Sequence, residues 1–295
     1  MKDTFSSYHP VVNFVYFVAV ILFSMFFLHP VFLGISLVCG TAYSLYLNGR
    51  RAARFNLLYM LPLFLIFAVM NPVFNHAGAT ILVYVNDNPI TLESIAYGFA
   101  AAAMFVSVMI WFSCYNAVMT SDKFIYLFGR VIPALSLVLS MALRLVPRLK
   151  AQIHVISNAQ KCIGRDVSNG NVIQRAKNGL KILSILTTWA LENAIETADS
   201  MKSRGYGLKG RTSFSNYRFD KRDGLGMAAL LVLIAVVLLG AVLGENNMVN
   251  FPALYAKPFS ALSLIVYAGY AGLCLMPLIL NLWEDAKWAR LLSKI

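Results

Sequence analysis

The chain has 295 residues, 59% of them hydrophobic and 13% charged, with a mean hydropathy of +0.68. Soluble domains carry about a quarter charged residues, so this composition excludes an ordinary soluble domain and points to an all-α, polytopic helical membrane protein. The net charge of +12 sits at the flanks of apolar runs and in one long loop, which fits cytoplasmic positive charge facing anionic headgroups and argues against nucleic acid as a partner.

The first apolar run is Val11–Leu28 and the second is Val31–Leu47, with only His29 and Pro30 between them. Two runs so close make a helical hairpin, with Pro30 in the first turn of its second helix. No basic leader or small-x-small site precedes Val11, so the run reads as a retained span. Arg50, Arg51 and Arg54 mark the following loop, Asn48–Arg54, as cytoplasmic, and the N-terminus with it. A third span is expected over Leu57–Phe74, with Pro62 in its first turns. Ile81–Val85 is β-prone, too short to cross as a helix, and fits either a short strand or an interfacial loop. Asn86–Pro89 is turn chemistry. Thr91 is placed to cap a fourth span reaching Met119, with Glu93 in its first turn. Asp122, Lys123 and Arg130 return the chain to the inner side.

Val131–Pro147 is apolar but short, with Arg130 before it and Arg144, Arg148 and Lys150 at its end. A crossing would leave one cluster outside, so the expected form is a re-entrant helix. A fifth span over Gly226–Leu243 and a sixth over Phe259–Leu282 follow. Trp283 and Trp288 suit a headgroup zone, and Arg290 and Lys294 close the chain inside. The expected organisation is a four-span bundle over 1–130, a re-entrant and amphipathic coupling module over 131–222, and two spans over 223–295. That gives about six transmembrane helices plus cytoplasmic amphipathic helices, with both termini cytoplasmic.

Cys39, Cys114, Cys162 and Cys274 form no Cys-x-x-Cys pair, and His9, His29, His76 and His154 are scattered, so neither a disulfide framework nor a metal site is indicated. His9 and His29 each precede a proline at the mouth of an apolar run, as interfacial residues at helix starts. No cofactor is implied.

Arg148–Arg222 is the long polar stretch, with 14 Lys/Arg against 5 Asp/Glu. Within it Ile182–Met201 has helical periodicity, but three acids in its second half argue against a span. Lys202 and Arg204 fall in its last turn, and Gly205 and Gly207 end it. A second helix, from Leu149 to about Gly164, ends alike, with Lys161 and Arg165 beside its glycine and the polar turn Arg165–Gly170 after it. A guanidinium on a rigid helix tip can bond a partner's carboxylate bidentately. Glu192 and Glu196 make a carboxylate pair one turn apart, but no His, Cys or Ser group accompanies them, and a solvated face accounts for both. Gly205–Thr212 imitates a phosphate loop, with Arg211 where lysine belongs. It follows a helix instead of a strand, so it is not read as a nucleotide site.

With these residues in place, the chain resembles the transmembrane (T) component of energy-coupling factor (ECF) transporters, including the cobalt-uptake type. The resemblance runs from about Tyr8 to Trp283 and is strongest over Asn158–Arg211. That family carries two Ala-Arg-Gly-like motifs at the ends of its coupling helices. Ser203-Arg204-Gly205 looks like the second. Ala159–Gly164 looks like the first, with Gly164 retained but Ile163 where the family has arginine, and with Lys161 and Arg165 nearby. Asn71-Pro72 and Asn88-Pro89…Glu93 also look familial. The resemblance implies a non-catalytic subunit of a bacterial cell membrane importer. Two ABC-type ATPase subunits would bind at Lys161, Gly164, Arg165, Ser203, Arg204 and Gly205. A membrane-embedded S component would capture a vitamin or transition-metal ion. Two other classes compete: a lipid-modifying membrane enzyme, which needs clustered acids or a nucleophile at depth, and a stand-alone secondary transporter, which needs ionisable groups at mid-span. The span centres carry neither.

Overall fold

The computed structural model describes residues 3–85, 88–129, 132–168, 170–208, 217–244, 246, 248–249, 255–256 and 260–292. The chain divides into two compact units, residues 1–124 with 217–295, and residues 125–216.

In the first unit, α1 (Pro10–Phe26) and α2 (Pro30–Asn48) each open on a proline, where a missing amide hydrogen costs nothing. His9 and His29 cap them: each Nδ1 accepts from the amide two residues on, at 3.3 Å. Gly49, with φ of 52°, ends α2. The expected loop at Asn48–Arg54 does not form, because the chain is helical again from Arg50. The helix α3 (Arg50–Phe55) passes through a π turn, Asn56–Met60, into α4 (Leu61–Phe74). Pro62 therefore lies midway along a 25-residue helical run, Arg50–Phe74, instead of in its first turns. The π turn just before it is where the hydrogen-bond ladder shifts to suit a residue with no amide donor.

The β-prone stretch is a strand: β1 (Ile81–Val85) pairs antiparallel with β2 (Asn88–Thr91), while Asn86 and Asp87 lie outside the described residues. The hairpin leads into α5 (Leu92–Val118), whose first turn is capped by Thr91 Oγ1, accepting from Ser94 N at 3.2 Å. Glu93 is 2% exposed and accepts from the amide and hydroxyl of Thr80, fastening the hairpin to the helix. Next is α6 (Ser121–Gly129). Lys123 is not the solvated flank charge that the sequence suggests. It is buried, and its ammonium donates to the carbonyls of Ser6 and Val118.

After α7 (Pro133–Cys162) and α8 (Val172–Ser203), which belong to the second unit, α9 (Lys221–Val242) returns to the first. It starts five residues before the expected Gly226 because Asp220 and Asp223 form a capping box. A two-residue ladder, β3 (Met248–Val249) with β4 (Tyr255–Ala256), precedes α10 (Ala261–Leu292). This last helix runs ten residues past the expected end at Leu282. Its polar end is held by Tyr46, whose hydroxyl donates to Asp285 at 2.8 Å, and by the Arg222–Glu284 ion pair at 3.6 Å.

Among the described residues, five helices are long and apolar enough to cross a membrane: α2, Arg50–Phe74, α5, α9 and the Ala261–Trp288 part of α10. The remaining expected span, the first in the chain, is α1, with 17 residues and a length of about 25 Å, at the short end of what spans a bilayer. It is the centre of the unit, with Val12, Tyr16, Phe17 and Val20 fully buried. Leu230 of α9, Leu273 of α10 and Trp111 of α5 join the same core. Inside it, hydroxyls replace part of the apolar packing. Ser36 Oγ accepts from Trp111 Nε1 at 2.9 Å and Ser107 Oγ at 3.3 Å, and bonds Ser24 Oγ at 2.6 Å, which in turn bonds Tyr270 OH at 3.1 Å. This chain of partners ties α1, α2, α5 and α10 together where no water is available to replace any of them. At Gly98 a Cβ would come within 2.7 Å of the Ala68 carbonyl, so the glycine sets how closely α5 approaches α4.

In the second unit, the stretch expected to be re-entrant lies largely within one longer helix. Residues 133–162 form one unbroken helix, with Pro147 inside it, so the chain does not turn back near 147. Proline removes one amide donor and bends a helix, but intact turns on either side carry it through. Arg130 and Val131 lie outside the described residues. The second helix is longer than its periodic core suggests: α8 begins at Val172, ten residues before Ile182, with Asn171 Oδ1 accepting from Val172 N at 2.7 Å. The two helices form an antiparallel hairpin. Near the turn, Arg175 Nε donates to Val167 O at 2.8 Å, and further along Arg148 stacks over the Trp189 ring at 5.4 Å. Between these points Ile156, Ile182 and Leu186 make a small buried core.

Candidate functional site

The residues singled out in the polar stretch fall at the two helix ends of the second unit, and both ends close in the same way. At the end of α7, Gly164 N donates to Lys161 O at 3.0 Å and Arg165 N to Gln160 O at 2.9 Å. At the end of α8, Gly205 N donates to Lys202 O at 3.0 Å and Tyr206 N to Met201 O at 3.0 Å. Each is a Schellman cap, and the left-handed residue is glycine, with φ of 74° at Gly164 and 81° at Gly205. Matched through the cap, Gln160-Lys-Cys-Ile-Gly-Arg165 lies on Met201-Lys-Ser-Arg-Gly-Tyr206. Lys161 corresponds to Lys202, Cys162 to Ser203, Ile163 to Arg204, and Arg165 to Tyr206.

The side chains at both tips that the sequence singles out are all exposed: Lys161, Arg165, Ser203 and Arg204. They differ in how they are held. Lys161 leans onto Asp166 at 3.8 Å. Ser203 turns its hydroxyl back to Ser200 O at 2.9 Å, so it braces the last turn. Arg204 is the C-cap residue itself and leaves the helix axis at its end. Ile163 holds the same position at the first tip and is 61% exposed, an apolar side chain standing where the second tip has a guanidinium.

The turn after the first tip has supports that sequence reasoning missed. Asp166 takes the Ser168 amide at 3.1 Å and its hydroxyl, and Asn178 Nδ2 donates to Asp166 O at 2.9 Å. These bonds from Ser168, with a smaller contribution from Lys161, hold the Asp166 carboxyl below its usual range. An Asp-x-Ser turn leading to an Asn cap is the sequence signal that could have been read. Beyond Trp189, most side chains of α8 are exposed. Leu191 and Ile195 are 63% and 66% exposed, and Glu192, Glu196 and Asp199 are exposed with them. Its last turns therefore form an arm ending in Arg204. Gly205 and Gly207 follow this arm directly, as expected of a helix stop, while Lys209–Thr212 lie outside the described residues.

The two tips do not meet. Because α7 and α8 are antiparallel, the first tip lies where α8 begins and the second where it ends. The 32 residues of α8 separate them by about 48 Å. Such a pair can engage two sites on a partner at once, and a rigid helix between them would transmit the motion of one to the other.

A profile of the cobalt transport protein family, CbiQ, matches residues 3–214, which include both tips. Among curated proteins, the chain is similar to the energy-coupling factor transporter transmembrane protein EcfT of Lactobacillus helveticus, with 39% identity over 106 residues, 36% of this chain and 38% of the relative. It is similar to the EcfT of Acidaminococcus fermentans, with 40% identity over 105 residues, 34% of this chain and 39% of the relative. With the EcfT of Staphylococcus aureus the identity is 28% over 186 residues, 59% of this chain and 69% of the relative. The chain spans less than two fifths of the length of the first two relatives and about two thirds of the third.

Proposed function

The chain belongs to the family of cobalt transport proteins and ECF-transporter transmembrane (T) components, and from that membership we propose that it couples ATP hydrolysis by partner subunits to uptake of a small solute. In this reading it is a membrane transporter subunit without a reaction of its own. The partners are two ABC-type ATPase subunits, one at each helix tip, and an S component in the membrane that selects a vitamin or a transition-metal ion. In this reading both chain termini face the cytoplasm, which the positive-inside bias of the arginine and lysine flanks supports.

The observation that carries the reading is the pair of like-capped, exposed helix ends at opposite ends of one hairpin. A T component acts by binding one state of its motor better than another, since a ligand shifts an equilibrium only by its differential affinity. Rigid helices with fixed tips suit that role. Closing of an ATPase dimer changes the spacing of its two grooves, and a hairpin of fixed length feels the change. Arg204, at the end of the α8 arm, would pair with a carboxylate in its groove.

The test is Arg204→Glu in cells that depend on uptake through this system. Uptake should be lost, while the chain still reaches the membrane in normal amount and its ATPase partners fall away on purification in mild detergent. Normal uptake at normal expression would overturn the reading.

A further inference from the structure

The two tips share a backbone and differ in chemistry. Superimposed through their caps, the C-cap position carries Ile163 at one and Arg204 at the other. Two residues on, the order is reversed: Arg165 at the first and Tyr206 at the second. The other bases near the first tip are already engaged within the turn, Lys161 with Asp166 and Arg175 with the Val167 carbonyl. At the C-cap position the first tip therefore presents a 61% exposed isoleucine, with Arg165 exposed beyond it.

We propose that the tips are non-equivalent docking points: Ile163 seats in an apolar pocket of one ATPase site, Arg204 pairs with a carboxylate in a different one, and neither tip fits the other's site. This rests on the reading that the tips bind ATPase subunits, and it adds what each site must look like. A groove built around a carboxylate would leave that charge buried and unpaired against Ile163, and an apolar pocket would have to desolvate Arg204. Either mismatch is costly, so the difference sets which subunit sits at which end. The separation of about 48 Å, from the length of α8, rules out one groove serving both tips.

The chain supplies a probe for this. Cys39, Cys114 and Cys274 are buried, and Cys162, next to Ile163, is exposed. Cys162 in the first cap corresponds to Ser203 in the second. The pair Cys162→Ser with Ser203→Cys therefore moves the exposed thiol from one tip to the other at the same cap position. The experiment uses the full chain in membranes with its co-purifying ATPase subunits, a thiol-to-amine cross-linker, and mass spectrometry of the linked peptides. Cys162 should link to one ATPase sequence and the relocated cysteine to a different one. Ile163→Arg should lower the first link about tenfold, as expected for a charge forced into an apolar pocket, and leave the second unchanged. Both tips linking to the same peptide of the same subunit would overturn the proposal, as would Ile163→Arg leaving the first link intact. Links from neither tip to any ATPase would instead overturn the assignment of the tips as docking points, and this inference with it.

Discussion

Single residues decide the two helix ends. An L side chain in the left-handed region costs about 1–2 kcal/mol. Gly164→Ala should therefore speed hydrogen exchange at the Arg165 amide roughly fivefold, the factor that matches about 1 kcal/mol at room temperature. Gly205→Ala should do more at the Tyr206 amide, because its new Cβ would also lie 2.9 Å from Leu208 Cδ1. Equal exchange at these amides in wild type and variants would show that the caps do not close as described. Lys123 is decided by its setting too. Burial pushes its pKa down, with Asp3 pulling it back, and two backbone carbonyls depend on its ammonium. Lys123→Met would leave both carbonyls without a partner, at about 1–3 kcal/mol each, and should lower the unfolding temperature in detergent by several degrees. As one of several bases flanking an apolar run, Lys123 gave no sign in the sequence that it was buried.

At the scale of the element, the ends of helices were harder to read than their middles. Apolar periodicity located α2, α5 and the core of α8. Local chemistry then moved several boundaries: Asp220 and Asp223 drew the start of α9 back, Asn171 did the same for α8, and a single glycine was enough to separate α2 from α3. The His-Pro starts of α1 and α2 are boundaries of a kind that responds to pH. Burial lowers the pKa of His9 and His29 below the ordinary 6.5, while Asp223 partly opposes the shift at His9. The folded chain thus binds these protons more weakly than the unfolded one. Their caps are intact above about pH 6.5, and stability falls as the pH drops through that value toward the folded pKa. Protonation at Nδ1 also removes the acceptor itself. The unfolding temperature in detergent should decline between about pH 7 and pH 5.5, and His29→Asn, which keeps a cap acceptor without titrating, should flatten the decline. An unchanged slope in that variant would show that the cap does not carry the effect.

At the scale of the whole molecule, the two units rest on different physics. The first buries a core of aromatic and aliphatic side chains around α1, threaded by the hydroxyls of Ser24, Ser36, Ser107 and Tyr270 and the Trp111 indole. Ser36→Ala would strip the shared partner from Trp111 and Ser107 at once. Interhelical hydrogen bonds in membranes are worth about 1–2 kcal/mol at most, so the variant should unfold the membrane bundle a few degrees earlier. Hydrogen exchange at the Arg165 and Tyr206 amides should not change, since those caps lie in the other unit. The second unit has only a small core of Ile156, Ile182 and Leu186 to hold α7 to α8. That leaves the last turns of α8 exposed.

The class was legible in the sequence, because membrane spans are written as long apolar runs, a signal that is local and additive along the chain. The sequence also marked the helix stops, because a left-handed cap requires glycine wherever the chain goes next. It could not determine that α7 runs unbroken through Pro147, because proline in a helix is tolerated or not according to the turns around it. Nor could it determine that the two glycine stops lie at opposite ends of one hairpin. That depends on Arg148 meeting Trp189 and Ile156 packing with Ile182 and Leu186, pairings between residues far apart in the chain that the folded unit fixes.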